Sequence, residues 1–182
     1  GRDPQMSTLT QQSPVPYTGP APTNRNIYVP AGLDVIDARR DQLQAAIGAP
    51  YITPEPGQDL PTFIVERERI VDVLRTLKEH PDLQFTLPLA CFGVAYPNRP
   101  DGGRFDIIYQ LYSLKNNERI RLKVRTDEDH AVPSSLPVFK GLDWFERETY
   151  DMFGVRFEGH PNLRRILCHE AFRGHALRKD YD

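Results

Sequence analysis

Cysteine is scarce in this sequence, and its scarcity limits the cofactors that the chain can hold. Cys91 and Cys168 are its two cysteines among 182 residues. Two thiols cannot supply the four cysteine ligands of an iron–sulfur cluster or of a four-cysteine zinc site. A chain of this length buries a core without a disulfide, so we expect both cysteines to be reduced thiols.

Long apolar runs and an excess of charge of one sign are also missing. No stretch of about 18 apolar residues occurs, so we expect no transmembrane helix, and the N-terminal residues lack an apolar secretory segment. The 23 basic and 25 acidic residues give a net charge of −2, which argues against nucleic-acid binding by the fold as a whole. Hydrophobic residues make up 39% of the chain, enough for one domain with or without tails.

The first 26 residues are rich in proline, serine, threonine and glutamine. Such a segment has too little apolar surface to offset its ordering entropy, so we interpret residues 1–26 as a disordered arm. Residues 1–5 have the character of an expression scar ahead of Met6. The folded part is therefore expected to begin near Ile27.

Residues 27–154 predict an α+β domain with the element order α-β-β-α-β-β-β. Apolar residues at helical spacing indicate helices over residues 33–47 and 66–79. Short β-rich runs at 51–53 and 62–65 lie between these helices. Two helices on one face of a mixed, largely antiparallel sheet bury the apolar side of both layers, so we expect a two-layer domain.

Three further strands are predicted in the second half of this domain. Residues 85–96 are apolar on both faces, which indicates a central strand. Residues 104–113 follow, and residues 119–125 alternate between basic and apolar side chains across a tight turn at Asn116-Asn117. We interpret the basic row as the solvated face of the sheet, with an anionic partner as the alternative. The row consists of Arg119, Arg121, Lys123 and Arg125.

A short helix is expected over residues 143–153, followed by an irregular tail. Asp143 and Glu146 have the spacing of a capping box, and Gly154 is a typical helix stop. Residues 155–182 show no sustained periodicity, so we interpret them as an extended, partner-binding tail that needs a surface to lie on. The expected anchors of the helix to the core are Met152, Phe153 and Trp144.

Ionisable residues are densest in this helix. Two carboxyls among Glu146, Glu148 and Asp151 would form an acid–base pair if their environments differed. Arg147, four residues before Asp151 and thus spaced for an ion pair, would instead hold them ionised. Since no nucleophile motif accompanies them, we interpret these carboxylates as part of an ion-pair network rather than a catalytic site.

A metal site is the alternative hypothesis for the tail. His160, Cys168, His169 and His175 have side chains suited to zinc. Their spacing matches no compact zinc template, and the adjacent Cys168 and His169 would fit poorly into one tetrahedron. The simpler interpretation is that each histidine forms a local hydrogen bond or contacts a partner.

A further pattern runs through the helix and the tail. Residues 146–148 read Glu-Arg-Glu, residues 151–153 read Asp-Met-Phe, and His160, Arg164 and Ile166 follow. This pattern resembles the signature of the 30 kDa subunit of respiratory complex I, which in bacteria is the C subunit of NADH-quinone oxidoreductase. The positions that carry the resemblance are Trp144, Glu146, Arg147, Glu148, Asp151, Met152, Phe153, Gly159, His160, Arg164, Arg165, Gly174, His175, Arg178, Lys179, Asp180 and Tyr181.

The resemblance implies a role within a multisubunit enzyme. It implies a scaffold without a catalytic centre or cofactor of its own, beside partners that carry FMN and iron–sulfur clusters. The implied partners are the D (49 kDa), B and I subunits, and the implied place is the peripheral arm, on the cytoplasmic side of the inner membrane. Four tail cations would make charge-assisted contacts, namely Arg164, Arg165, Arg178 and Lys179.

Two alternatives to this function stay open. Relatives of the family occur in hydrogenase-type and other donor-linked membrane complexes, so an equivalent scaffold there is the first alternative. A stand-alone zinc enzyme that uses His160, Cys168 and His175 is the second. Three departures from the family pattern, Ala176, Asn162 and the Cys168-His169 pair, affect the expected geometry of the tail.

Overall fold

The computed structural model describes residues 33–48, 50–56, 58–100 and 102–181, with side chains from Ile36 onward. The predicted arm over residues 1–26 lies outside the described residues. None of the helices in the described part is long and apolar enough to cross a membrane.

Helices and strands follow the predicted order. The described residues form three α-helices and five main strands, joined by two short 3₁₀ turns and a small additional strand pair. The elements are α1 (Leu33–Ile47), β1 (Ile52–Pro54), β2 (Thr62–Val65), α2 (Ile70–Glu79), β3 (Leu87–Ala95), β4 (Phe105–Ser113), β5 (Glu118–Thr126), β6 (Val132–Pro133), α3 (Asp143–Phe153) and β7 (Phe157–Glu158).

The main sheet is mixed, with the strand order β1-β2-β5-β4-β3. Only the β2–β5 pair is parallel among these strands, and the other three pairs are antiparallel. The connection from β2 to β5 passes through α2 and two strands, which is the crossover that a parallel pair requires. The predicted α+β class with a mixed, largely antiparallel sheet is therefore confirmed.

One face of the sheet carries the core. The strict alternation predicted for β5 is observed, since Ile120, Leu122 and Val124 are fully buried. They pack in one apolar cluster with the buried face of α2, which comprises Ile70, Val73, Leu74 and Leu77. Helical spacing placed these four residues on one face, and burial of that face fixes α2 on the sheet.

The prediction of a central strand over residues 85–96 is wrong, because β3 lies at the edge of the sheet. Its core face is covered by α3, where the ring of Phe153 packs on Gly93. Its opposite face stays open, and Leu87, Phe92 and Tyr96 are each about 40% exposed. An apolar pattern on both faces normally indicates burial on both sides, and here only one side is buried within the described chain.

The basic row of β5 lies on the face of the sheet opposite the core, as predicted, but the side chains of Arg121 and Lys123 are only about 15% exposed and are not solvated. Arg121 pairs with Asp59 at 2.6 Å and Lys123 with Glu55 at 2.5 Å. The Arg121–Asp59 pair, whose carboxylate is exposed, contributes about 0–1 kcal/mol, so it orders the β1–β2 connection more than it stabilises the fold. The turn between β4 and β5 is also as predicted, with Asn117 at φ +51°.

Candidate interaction site

The N-terminal end of helix α3 has no side-chain cap, whereas a glycine caps its C-terminal end. Leu142 occupies the N-cap position and no side chain caps the first turn, so the predicted capping box of Asp143 and Glu146 is wrong. The Glu146 carboxylate is bound elsewhere. At the C-terminus, Gly154 adopts φ +78° and its N–H donates to the Tyr150 carbonyl, which confirms the predicted stop.

Glu146 links α3 to the loop that precedes it. Its fully buried carboxylate accepts hydrogen bonds from the Ser135 N–H at 2.7 Å, the Ser135 hydroxyl at 2.5 Å and the Ser134 hydroxyl at 2.7 Å. Burial raises the pKa of the Glu146 carboxyl above its usual value and outweighs the opposing effect of these serine donors. The turn at Pro133, Ser134 and Ser135 is thus the binding site for a buried helix side chain.

A raised pKa makes the stability contribution of Glu146 dependent on pH. Because the folded chain holds this proton to a higher pH than the unfolded chain does, the contribution is complete below the ordinary carboxyl pKa and is lost as pH rises through the raised value. We expect Glu146→Gln to remove this dependence. Urea unfolding of both proteins between pH 4 and pH 7 should show wild type losing free energy of unfolding relative to the variant as pH rises. A difference that is constant with pH, or that changes in the opposite sense, contradicts the assignment.

Asp151 binds the tail to α3. The fully buried carboxylate accepts from the backbone N–H groups of Ile166, Leu167 and Cys168 at 2.8–3.0 Å and from Arg165 at 2.9 Å. Burial by itself would raise the pKa of Asp151, but these three N–H groups and the guanidinium outweigh it and hold the pKa below its usual value. Asp151 is therefore the attachment point of residues 165–168.

The predicted ion pair between Arg147 and Asp151 is not formed. Arg147 lies 4.0 Å from Asp143 and donates to the carbonyl oxygens of Arg164 at 3.3 Å and Arg165 at 3.5 Å. The Asp151 carboxylate is already fully engaged by the tail, which offers four donors where the helix offers one. Long-range pairing therefore displaces the local i, i+4 pair, whose contribution would be only about 0.2–0.5 kcal/mol.

The tail also caps the C-terminal end of α3. Helix ends leave carbonyl groups without intrahelical partners, and the tail supplies donors to three of them. His175 Nδ1 lies 2.9 Å from the Asp151 carbonyl, the Leu177 N–H donates to Met152 at 3.1 Å, and Arg178 Nε donates to Phe153 at 2.6 Å. A cation at this end also interacts favourably with the helix dipole. Met152 and Phe153 are buried below these contacts, as predicted.

The last residues of the tail are tied to the main sheet by ion pairs. Asp180 pairs with Arg104 at 2.5 Å, directly before β4, and Arg178 pairs with Glu128 at 2.8 Å, shortly after β5. Arg104 and Glu128 also pair with each other at 2.9 Å. Sequence reasoning missed Arg104 and Glu128, because no local pattern reports a partner 50 or 76 residues away.

An aromatic stack closes the turn around Gly174. The rings of Phe172 and Tyr181 stack with centroids 5.8 Å apart, and Arg165 donates to the Gly174 carbonyl at 2.8 Å. Gly174 has φ +83°, and a Cβ there would lie 2.5 Å from the Tyr181 ring. The glycine is required at this position by both its conformation and the space available.

The beginning of the tail pairs with the loop before α3. The two-residue strands β6 and β7 are parallel, with the Val132 N–H donating to Arg156 and the Ser134 N–H donating to Glu158. This pairing was not predicted, because two residues are too few to show a period. Gly159, at φ +78°, then turns the chain toward His160.

His160 is enclosed between the tail and the first turn of α3. Its side chain is fully buried, its Nδ1 accepts from the Asn162 N–H at 3.0 Å, and its Nε2 lies 3.8 Å from Asp143 Oδ1. The Nδ1 contact places the proton of a neutral ring on Nε2, facing Asp143. His160 thus joins the Gly159 turn to the helix N-terminus.

The outer side of α3 and the tail is exposed. Trp144 is 70% exposed and Leu167 64% exposed, so the prediction that Trp144 anchors the helix is wrong. Its position faces away from the buried side of α3, which the other two predicted anchors occupy. Glu148, Arg164 and Lys179 are also exposed, and no carboxylate or cation among the described residues pairs with them. We define the tail surface as the exposed side chains of Trp144, Arg164, Leu167, Leu177, Lys179 and Tyr181.

The zinc hypothesis fails on geometry. His160, Cys168 and His175 do not come together, and the described residues contain no group of three or more His, Cys, Asp or Glu side chains placed to hold a metal ion. His160 instead bonds locally to Asn162, as the simpler interpretation predicted, whereas His175 contacts the Asp151 carbonyl 24 residues earlier. The acid–base hypothesis is disfavoured as well, since Glu146 and Asp151 are both fully buried and occupied by donors, so a substrate cannot reach either carboxylate.

The family model described as "Respiratory-chain NADH dehydrogenase, 30 Kd subunit" matches residues 63–182. Among curated proteins, the chain is 56% identical over 113 residues to the C subunit of NADH-quinone oxidoreductase from Caulobacter sp., covering 62% of this chain and 52% of that protein. It is 43% identical over 150 residues to the corresponding protein of Methylobacterium sp., covering 82% of this chain and 69% of that protein. The chain thus spans between about half and seven-tenths of the length of these relatives.

A solved structure shares the fold. A chain of the membrane-bound sulfane sulfur reductase, an archaeal respiratory membrane complex, is similar with a TM-score of 0.55 and 28% sequence identity. The similarity covers 68% of this chain and 72% of that chain.

Proposed function

Because the chain belongs to the family of the 30 kDa subunit of respiratory-chain NADH dehydrogenase, we propose that it is a non-catalytic assembly subunit of such a complex. The proposal rests on a difference between the polar and the apolar side chains of α3 and the tail. The polar groups of Glu146, Asp151, Arg165 and Arg178 are spent on contacts inside the chain, whereas large apolar side chains remain outside. A rigid segment that exposes such side chains is suited to docking.

In this proposal the chemistry resides in the partners. FMN and iron–sulfur clusters belong to other subunits, and this chain positions those subunits for electron transfer from NADH to quinone with coupled proton export. The proposal is supported by the cysteine content, since Cys91 is buried and Cys168 lies in the tail. The proposed partners are the D, B and I subunits, and the proposed place is the peripheral arm on the cytoplasmic side of the inner membrane.

The tail surface is the proposed docking element. Exposed tryptophan and leucine supply apolar anchors, and Arg164 and Lys179 supply charge at the rim. Arg165 and Arg178, which the resemblance also assigned to partner contacts, act within the chain by holding the tail in place. Docking then needs little further ordering of the tail, which lowers the entropic cost of association.

Charge placed on the tail surface should prevent assembly. We expect Leu167→Asp and Lys179→Glu to reduce the recovery of partner subunits with the chain from solubilised native membranes by about tenfold, the effect of roughly 1.4 kcal/mol. Leu114→Asp is the matched control, because Leu114 is 67% exposed in the β4–β5 turn. The free-chain melting temperature should be unchanged in all three variants. Recovery at the wild-type level for both tail variants contradicts the proposal.

A second candidate function is favoured by the similarity to a chain of an archaeal sulfane sulfur reductase complex. In that case the chain is an equivalent scaffold in a hydrogenase-type or other donor-linked membrane complex. The purified complex distinguishes the two functions, because a complex with this chain should reduce quinone with NADH under the first proposal. A complex that contains the chain but is inert toward NADH favours the second.

A further inference from the structure

A groove of about 550 Å³ lies between the C-terminal end of α2, the first residues of β3 and the loop before α3. Leu87 and Pro88 line it on the strand side, and Pro137 and Phe139 line it on the loop side. None of the side chains that define the tail surface lines this groove. A molecule bound there would therefore contact the chain separately from the tail.

The charge in the groove is of one sign. Its two charged residues are Lys78, in the last turn of α2, and the exposed Lys140. No aspartate or glutamate lines the groove, and no carboxylate among the residues that the structure describes pairs with either ammonium group. The groove thus combines apolar walls with positive charge that the described part of the chain does not balance.

The Lys78 ammonium is held in a fixed position. The side chain is half-buried, its Nζ donates to the Val138 carbonyl at 2.7 Å, and the centre of the Phe139 ring lies 5.0 Å away. An ammonium group has three N–H donors, so two remain after the bond to Val138. A charge that is partly removed from water is normally paired with an opposite charge. Since the side chain is already ordered, an anion that binds it pays little further entropy.

The walls of the groove indicate what kind of anion fits. Leu87 is 41% exposed and Pro137 is also exposed, so apolar surface remains accessible beside the two lysines. A small inorganic anion would pair with the ammonium groups and leave these walls in water. A polypeptide segment with an acidic side chain next to an apolar one satisfies both the charge and the walls.

We propose that this groove docks a segment of a partner subunit that places an aspartate or glutamate against Lys78 and Lys140. An apolar neighbour of that residue packs against Leu87 and Pro137. The inference rests on the proposed function, because the partner is another subunit of the same complex. It adds a second contact to that of the tail surface.

The first test changes the charge of the groove in the full chain within its native complex. Lys140→Glu and Lys78→Met should each reduce the recovery of partner subunits from solubilised native membranes by about tenfold. Lys115→Glu is the matched control, because Lys115 is 47% exposed outside the groove and lies 4.0 Å from its nearest carboxylate. The free chain should keep its melting temperature in Lys140→Glu and Lys115→Glu, since both side chains are exposed. If Lys78 only supports the loop through Val138, Lys78→Met lowers the melting temperature and leaves the recovery unchanged.

The second test identifies the occupant. A side chain at position 141 lines the groove and meets no atom within 4 Å at its Cβ, so a photo-crosslinking residue fits there. It should join the chain to a segment of another subunit that contains an aspartate or glutamate, identified by mass spectrometry. Changing that acidic residue to lysine should restore the recovery of the Lys140→Glu chain.

Three results overturn the proposal. The first is wild-type recovery with both Lys140→Glu and Lys78→Met. The second is a crosslink from position 141 to a second copy of this chain, to lipid or to a segment without an acidic residue. The third is a charge reversal in the partner that leaves the recovery of Lys140→Glu low. Loss of recovery with Leu167→Asp but not with the groove variants removes this inference and leaves the proposed function intact.

Discussion

Replacing Asp151 with asparagine is expected to lower the free energy of unfolding by about 3–5 kcal/mol, the range for breaking a buried charge network. The carboxylate serves three backbone N–H groups and Arg165 without exposure to water. An asparagine side chain has one acceptor oxygen, and its amide group would meet donors instead of acceptors. The guanidinium of Arg165 would also lose its countercharge.

The loss should be visible in the tail before it is visible in the sheet. Limited proteolysis of Asp151→Asn should cleave between residues 160 and 181 faster than in wild type, and urea unfolding should give the change in free energy. Glu148→Gln is the matched control, because Glu148 is exposed on the same helix. A variant that keeps the wild-type tail cleavage rate and loses less than about 1 kcal/mol, the net contribution of one ordinary hydrogen bond, refutes the role given to Asp151.

Gly154→Ala is expected to cost at least about 2 kcal/mol, because it combines backbone strain with a steric clash. The residue has φ +78°, a conformation that alanine adopts at a cost. A Cβ at this position would lie 2.5 Å from both His175 Nε2 and Arg178 Nη2. The two tail side chains would have to leave the carbonyl groups of α3 that they cap.

Alanine substitutions at two other glycines distinguish the contribution of backbone strain from that of the steric clash. Gly102 has φ +88° with no atom near its would-be Cβ, so Gly102→Ala measures the strain alone. Gly141 has neither restriction, so Gly141→Ala should be nearly neutral or slightly stabilising. In thermal unfolding of the three variants, the melting temperature of Gly154→Ala should be well below that of Gly102→Ala. Equal decreases in melting temperature for Gly154→Ala and Gly102→Ala would show that the tail side chains do not clash with a Cβ at position 154.

Local patterns were sufficient to predict most elements of the domain. The observed bounds of α1, β2 and α3 are those predicted, since apolar spacing, short β-rich runs and a glycine stop each report on neighbouring residues. The buried faces of α2 and β5 were predicted for the same reason. The position of a strand within the sheet is not a local property, and the edge position of β3 was accordingly missed.

In the candidate site, too, local spacing did not identify partners that are distant in sequence. Spacing suggested the nearest partners, so Asp143 was assigned to a cap and Arg147 to Asp151. In the folded chain Glu146 binds a loop 11 and 12 residues earlier, and Asp151 binds donors 14 to 17 residues later. Those partners offer several donors each to a buried carboxylate, and their combined effect exceeds that of one local pair. The resemblance to the family identified these residues without indicating which of them act inside the chain.

Hydrogen–deuterium exchange of the tail tests the central claim most directly. Backbone amides should be compared between the isolated chain and the chain within the solubilised complex. We expect the amides of Ile166, Leu167 and Cys168, which Asp151 already binds, to be protected in both states. The amides around Arg173 and Lys179 should exchange at least tenfold more slowly in the complex. Unchanged exchange of those amides on assembly would contradict the docking role of the tail.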